Sequence, residues 1–353
     1  MHGSIAVCEA VLAALRDIPG FRDAEPGEFT RRALMNGKLD LSEAEGIGDL
    51  LEAETAAQRR QAIALVGGAL GDLAEAWRSD LVAALAKIEA GIDFADEDLP
   101  PEVLSGVGAT LTATSLAMKA QVDGSRAAER IREGFEVALI GPPNAGKSTL
   151  LNRLAGRDAA LTSDVPGTTR DVIEVRMDIE GLPVSFLDMA GIRDAADRIE
   201  TLGVERARSR AELADIRVFL LDGVTDPASL GVEPMPGDVI TRSKADIVRS
   251  GAGLPVSGLT GAGVDNLLES IGKELGGRVA GASVASHARH RTAIAEASEA
   301  LRHAADILAN GGDQTELVAV EIMRALRSID FLVGRVDIES VLGEIFSRFC
   351  IGK

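Results

Sequence analysis

Residues 141–148 read Gly-Pro-Pro-Asn-Ala-Gly-Lys-Ser, and this run limits the fold more than any other stretch of the chain. The spacing G-x-x-x-x-G-K-[ST] carries its meaning only after a strand and at the start of a helix. Both are predicted here, with the β-rich run Glu136–Ile140 before the turn and a helical pattern after it. In such a turn, backbone N–H groups and the helix N-terminus surround a β-phosphate. Lys147 then neutralises β- and γ-oxygens, and Ser148 offers its hydroxyl to Mg²⁺.

Three further segments fall in the order such a site requires. Gly167-Thr168-Thr169-Arg170-Asp171 lies in a polar loop after the phosphate turn. A threonine there reaches Mg²⁺ and a γ-phosphate only when the triphosphate is bound, which makes the loop a switch; Thr169 is the magnesium candidate. Asp188-Met189-Ala190-Gly191 fits D-x-x-G at a strand end. Asp188 is expected to hold a magnesium water and the Gly191 N–H to sense the γ-phosphate. Ser243-Lys244-Ala245-Asp246 stands where N-K-x-D is usual. A carboxylate at Asp246 accepts two N–H bonds from guanine, an edge that adenine lacks. Serine in place of asparagine predicts weaker nucleotide binding and rapid exchange without a change of base. Ser257-Gly258-Leu259 replaces the common S-A-x, and a backbone N–H there still suffices for the guanine oxygen. Together these motifs point to a GTP-hydrolysing switch.

The residue after Gly191 is Ile192, which cannot orient an attacking water. A polar group from the charged segment Arg193–Glu200 or just beyond must do so. Spacing alone does not single out Glu200 from Asp194, Asp197 or Glu205, and a solvated acidic helix start accounts for the same residues.

Outside the middle of the chain the pattern is helical. Ser4 is placed to cap a helix over Ile5–Arg16. Ser42 and Glu45 read as an S-x-x-E capping box. Leu73, Trp77, Leu81, Leu85 and Ile88 form a core-facing stripe. Short β-rich runs fill the middle: Glu136–Ile140, Asp171–Ile179, Pro183–Asp188, Ile216–Leu221, Asp238–Arg242 and Leu254–Ser257. Their alternation with helices predicts an α/β fold with a doubly wound, mainly parallel sheet. An all-α domain interrupted by this insertion accounts for both flanks best, with three sequential domains as the alternative. The expected divisions are 1–38, 39–132, 133–277 and 278–353, the first looking like the tail of a small α+β domain.

Net charge is -18, which argues against a large basic surface gripping nucleic acid unaided. Cys8 and Cys350 lie at opposite ends, so a reducing cytoplasm is expected. No membrane span is predicted. His287 and His290 read as a solvated helix start, Arg289 and Arg291 as possible RNA contacts without aromatics to stack on. A ribosome-assembly GTPase and a regulatory nucleotide-binding module are the competing classes.

Over essentially its whole length the chain resembles the MnmE (TrmE) family of tRNA-modification GTPases. The resemblance rests on Gly141–Asn152, on Asp164–Asp171, on the run from Pro26 to Leu41, and on the terminal Phe349-Cys350-Ile351-Gly352-Lys353. It implies a nucleotide site built from Asn144, Ala145, Gly146, Lys147, Ser148, Thr149, Ser163, Asp164, Val165, Pro166, Gly167, Thr168, Thr169, Asp188, Met189, Ala190, Gly191 and the two base-reading segments. It implies K⁺ ligation by Asn144, by the Ser163 and Val165 carbonyls and near Thr168, and it singles out Glu200 as the catalytic glutamate. Met189 departs from the D-T-A-G of close relatives.

The resemblance also implies partners. These are a homodimer, tRNA, and the flavoprotein MnmG (GidA) in a heterotetramer, with FAD held only by that partner. The product is an aminomethyl or carboxymethylaminomethyl group on carbon five of the wobble uridine, its one-carbon unit coming from 5,10-methylene- or 5-formyl-tetrahydrofolate. Lys38 and Lys353 match folate-contacting lysines, and Cys350 a thiol near that site. Most of the folate-binding and dimerisation domain has no counterpart in this chain, which predicts poor folate binding and weak dimerisation.

Overall fold

The structure is a computed structural model that describes residues 4–93, 105–157, 159–161, 174–189, 209–310, 314–336 and 342. The chain divides into two compact units, one of residues 1–51, 62–120 and 289–353 and the other of 52–61 and 121–288.

The first unit is helical among its described residues. It contains α1 (Ile5–Arg16), α2 (Glu28–Met35), α3 (Leu41–Glu52), α5 (Ala69–Asp93), α9 (Ala288–Asn310) and α10 (Thr315–Leu332). Helices α4 (Ala56–Val66) and α6 (Val107–Glu133) belong to it in part. Helix α5 buries Leu70, Ala74, Trp77, Leu81, Ala84 and Ile88, so its inner stripe is turned slightly from the expected one and leaves Leu73 and Leu85 half-buried. It packs on α10, which buries Val318, Ile322, Ala325 and Ile329 at helical spacing. Small residues line the inner face of α9: Ala293, Ala297, Ala300 and Ala304.

Two capping expectations are corrected. Ser4 stands at the N-cap of α1, but its side chain makes no capping bond. The box at the start of α3 is Asp40-x-x-Glu43. Asp40 Oδ1 accepts the Glu43 N–H at 2.7 Å, and Glu43 Oε2 accepts the Asp40 N–H at 2.7 Å. The helix begins at Leu41, so Asp40 rather than Ser42 has the N-cap geometry. Ser42 is inside the helix, and its hydroxyl donates to Asp40 at 2.7 Å.

Glu45 is thereby free for another role. It is 6% exposed and pairs with two residues of α9: Arg289 Nη2 at 2.7 Å and His290 Nε2 at 2.7 Å. Arg289 also donates to the Phe331 and Leu332 carbonyls at the end of α10, at 3.1 and 2.9 Å. The expected solvated helix start at His290 and RNA contact at Arg289 are corrected accordingly. The histidine is fully buried, and the arginine is committed to the helical core.

The second unit carries a six-stranded sheet: β1 (Phe135–Ile140), β2 (Glu174–Ile179), β3 (Leu182–Asp188), β4 (Ile216–Leu221), β5 (Val239–Arg242) and β6 (Leu254–Pro255). Its order is β2-β3-β1-β4-β5-β6, with every neighbour parallel except the β2–β3 hairpin. Alternation along β1 sends Val137 and Leu139 to one face and Ala138 and Ile140 to the other, all buried. The first face is covered by α7 (Lys147–Ala155), through Leu150, Leu151 and Leu154. It is also covered by α8 (Val264–Val279), through Val264, Leu267, Ile271 and Leu275. The second face packs Leu187, Met189, Phe219 and Leu221. Successive strands lie on both sides of β1, so the carboxyl ends of β1, β3, β4 and β5 converge where such sheets place a ligand.

Candidate functional site

The phosphate turn starts where β1 ends. Gly141 lies against β4, and a Cβ there would stand 2.5 Å from the Leu220 carbonyl oxygen. Asn144 takes φ 60° and Gly146 φ 94°, the left-handed steps that reverse the chain into α7. Lys147 is the first residue of that helix. Its ammonium donates to the Gly141 carbonyl at 2.9 Å and the Pro142 carbonyl at 3.3 Å, so it spans the loop it belongs to. Burial pushes its pKa down, opposed by the Asp188 carboxylate.

Ser148, one residue on, donates its hydroxyl to Asp188 Oδ2 at 2.9 Å. Asp188 is the last residue of β3, in register with Leu139 of β1. It is 7% exposed, and its Oδ1 has no hydrogen-bond partner among the described residues. A buried, unsatisfied carboxylate oxygen beside a serine hydroxyl is a hard-oxygen donor set that suits Mg²⁺. Among the described residues no group of three or more His, Cys, Asp and Glu could hold a metal ion.

The two segments expected to read the base follow β5 and β6. Ser243 is 2% exposed and its hydroxyl donates to the Leu221 carbonyl at 2.9 Å, so its side chain is spent on β4. Lys244 takes φ 53°, Ala245 N–H donates to the Val256 carbonyl at 3.1 Å, and Asp246 is exposed. Ser257 is buried, and its hydroxyl accepts the Thr260 N–H at 3.2 Å. Gly258 and Leu259 follow in that turn, against α7.

The structure thus brings Asn144, Ala145, Gly146, Lys147, Ser148, Thr149, Asp188 and Met189 into one unit with Ser243–Asp246 and Ser257–Leu259. Ser163, Asp164, Val165, Pro166, Gly167, Thr168, Thr169, Ala190, Gly191, Glu200, Cys350 and Lys353 lie outside the described residues. Lys38 is exposed, just beyond α2. Motif reading missed Arg153 of α7, which donates to the Gly258 carbonyl at 3.1 Å. Its only sequence signal is a cation on an exposed helix face.

A phosphate turn after the first strand of a mainly parallel sheet, faced by the aspartate that ends β3, belongs to the P-loop GTPase class, and this chain is a member. A family model described as the MnmE helical domain matches residues 41–350, and one described as the GTP-binding protein TrmE N-terminus matches residues 1–38. The tRNA modification GTPase MnmE of Cereibacter sphaeroides (strain ATCC 17029 / ATH 2.4.9) is 55% identical over all of this chain and 82% of the relative. The proteins of the same name from Roseobacter denitrificans and Ruegeria pomeroyi are 53% and 52% identical over the same shares. The chain belongs to the MnmE family of tRNA modification GTPases. Among the described residues no helix is long and apolar enough to cross a membrane.

Proposed function

We propose that this chain is a K⁺-stimulated GTPase. With an MnmG (GidA) flavoprotein partner, it acts in aminomethyl or carboxymethylaminomethyl modification of the tRNA wobble uridine. The observation that carries the GTPase reading is the Ser148–Asp188 pair beside Lys147, with one Asp188 oxygen buried and unsatisfied. Family membership carries the tRNA side.

Each residue has a separable task. The turn from Gly141 to Thr149 wraps the β-phosphate with N–H groups, and the α7 N-terminus adds its positive end. Lys147 neutralises the β- and γ-oxygens. Ser148 and Thr169 hold magnesium, which draws charge from the phosphate oxygens when bound. Asp188 would help hold that ion through its hydration shell, and the Gly191 N–H would sense the γ-phosphate. Asp246 accepts the guanine N–H groups, and the 257–259 loop donates to the guanine oxygen. Asn144, Ser163, Val165 and Thr168 take K⁺, and Glu200 orients the attacking water.

Turnover is proposed to drive a conformational cycle rather than the carbon chemistry. Lys38 and Lys353 belong to a tetrahydrofolate site, and Cys350 lies near it. The homodimer, the heterotetramer with MnmG and the cytoplasmic setting are part of the same reading. Nucleoside analysis of tRNA from a strain deleted for this gene tests it. Loss of the 5-substituted wobble uridine is expected, and an unchanged nucleoside profile contradicts it.

A further inference from the structure

The turn assigned to the guanine oxygen is anchored to the phosphate-binding helix by contacts outside every nucleotide motif. Arg153 of α7 donates its Nε–H to the Gly258 carbonyl at 3.1 Å and a terminal guanidinium N–H to the Leu259 carbonyl. Gly258 lies flat on the same helix. A Cβ there would stand 2.7 Å from the Leu150 backbone nitrogen and 2.9 Å from its Cα, so any larger residue would lift the turn away. The turn also closes on itself, with the Ser257 carbonyl accepting the Gly261 N–H at 2.9 Å and the Ser257 N–H donating to Ala262 at 2.9 Å.

Peptide geometry converts this anchoring into an aim. In a trans peptide, a carbonyl and the N–H that follows it point in opposite directions, and no cis bond occurs among the described residues. Holding the Gly258 carbonyl towards Arg153 therefore turns the Leu259 N–H to the other side of the turn. Neither the Gly258 nor the Leu259 N–H has an acceptor among the described residues. Ser243 contributes no competing tie, because its hydroxyl is bound to Leu221. Base reading then falls on Asp246 and on this turn.

We propose that Arg153 is a positioning residue for guanine recognition, holding the turn by two consecutive carbonyls so that it presents the Leu259 N–H to the base oxygen. The proposal rests on the guanine-nucleotide reading above. Arginine suits the task because its planar fork serves two acceptors at fixed geometry, which a lysine ammonium does not. One helical turn on, Arg157 pairs with the Asp265 side chain at 2.5 Å and touches neither carbonyl, which makes it the natural control.

The test compares the affinity of the full chain, with Mg²⁺, for GDP and for 2-aminopurine riboside 5′-diphosphate, which lacks the base oxygen. Wild type is expected to prefer GDP. In R153A, GDP binding is expected to weaken about fivefold, with the analogue changed by less than about twofold. R153K is expected to recover part of the loss, and R157A to match wild type. Arg153 is exposed, so the melting temperature of R153A is expected to stay that of wild type. Equal weakening of both ligands in R153A, or no weakening of GDP, overturns the positioning role. A wild type that binds both ligands alike overturns the guanine reading, and the proposal with it.

Discussion

The Ser148 hydroxyl donates to Asp188 across 2.9 Å, tying the first turn of α7 to the last residue of β3. The two ends of the proposed magnesium site are thus fixed by regular secondary structure, one by a helix start and one by a strand in register with β1. Asp188 Oδ1 has no such tie and is buried. An amide placed there would present N–H groups where a hydrated cation needs an acceptor. Asp188→Asn is expected to lower GTP turnover at saturating Mg²⁺ by about 100-fold. Steady-state kinetics at several Mg²⁺ concentrations check this, and turnover within twofold of wild type would exclude Asp188 from the magnesium site.

Asp246 is exposed at the end of β5, where its two oxygens are available to a planar base. Asp246→Asn replaces two charged acceptors by one acceptor and one donor. GTP affinity is expected to fall about 100-fold, while xanthosine triphosphate, with a carbonyl at the second ring position, gains. Calorimetry with GTP, ATP and xanthosine triphosphate reads the change. Equal affinity of the wild type for GTP and ATP would refute guanine selectivity outright.

In the helical unit, Glu45 is held between Arg289 and His290. Burial alone would raise its pKa. The adjacent His290 and Arg289 outweigh that and hold the carboxyl well below the usual range. A depressed folded pKa means the carboxylate's stabilisation is present above its unfolded value, about 4.3, and is lost as pH falls from there towards the folded value. Glu45→Gln leaves a buried cation short of its partner and is expected to cost about 3 kcal/mol at neutral pH. Denaturant unfolding at neutral pH and near the carboxylate range checks both magnitude and slope. A change within about 0.5 kcal/mol would mean that the cluster contributes little.

Glu200→Ala is expected to reduce the GTP turnover number by about 100-fold or more and to abolish stimulation by K⁺, with nucleotide affinity unchanged. Single-turnover hydrolysis in K⁺ and in Na⁺, beside a binding titration, separates the two effects. Retained K⁺ stimulation would move the water-orienting task to another carboxylate.

The parts of the fold legible in sequence are those set by local pattern. Ile216–Leu221 is apolar except for Arg217, and it is a strand buried on both faces, with Arg217 paired to Asp238 at 3.0 Å. The G-x-x-x-x-G-K-S spacing placed Lys147 at a helix start, because two left-handed steps and a strand end leave few alternatives. What escaped depends on chain segments far apart. Glu45 lay in an S-x-x-E pattern that mimics a capping box. Its partners are 244 and 245 residues away, and nothing local says that a carboxylate in an acidic stretch will be buried. His290 at the front of α9 looked solvated for the same reason. Arg153 carries no motif, since its carbonyl partners are 105 and 106 residues on and contribute backbone rather than side chain.

The central claim is that magnesium-bound GTP lies over the turn that contains Lys147. Its most direct test is GTP turnover by the full chain in potassium buffer with Mg²⁺, measured beside Lys147→Ala. The account predicts GTP hydrolysis by wild type and loss of both hydrolysis and tight nucleotide binding in the variant. Equal turnover by the two proteins, or a wild type that neither binds nor hydrolyses GTP, would contradict it.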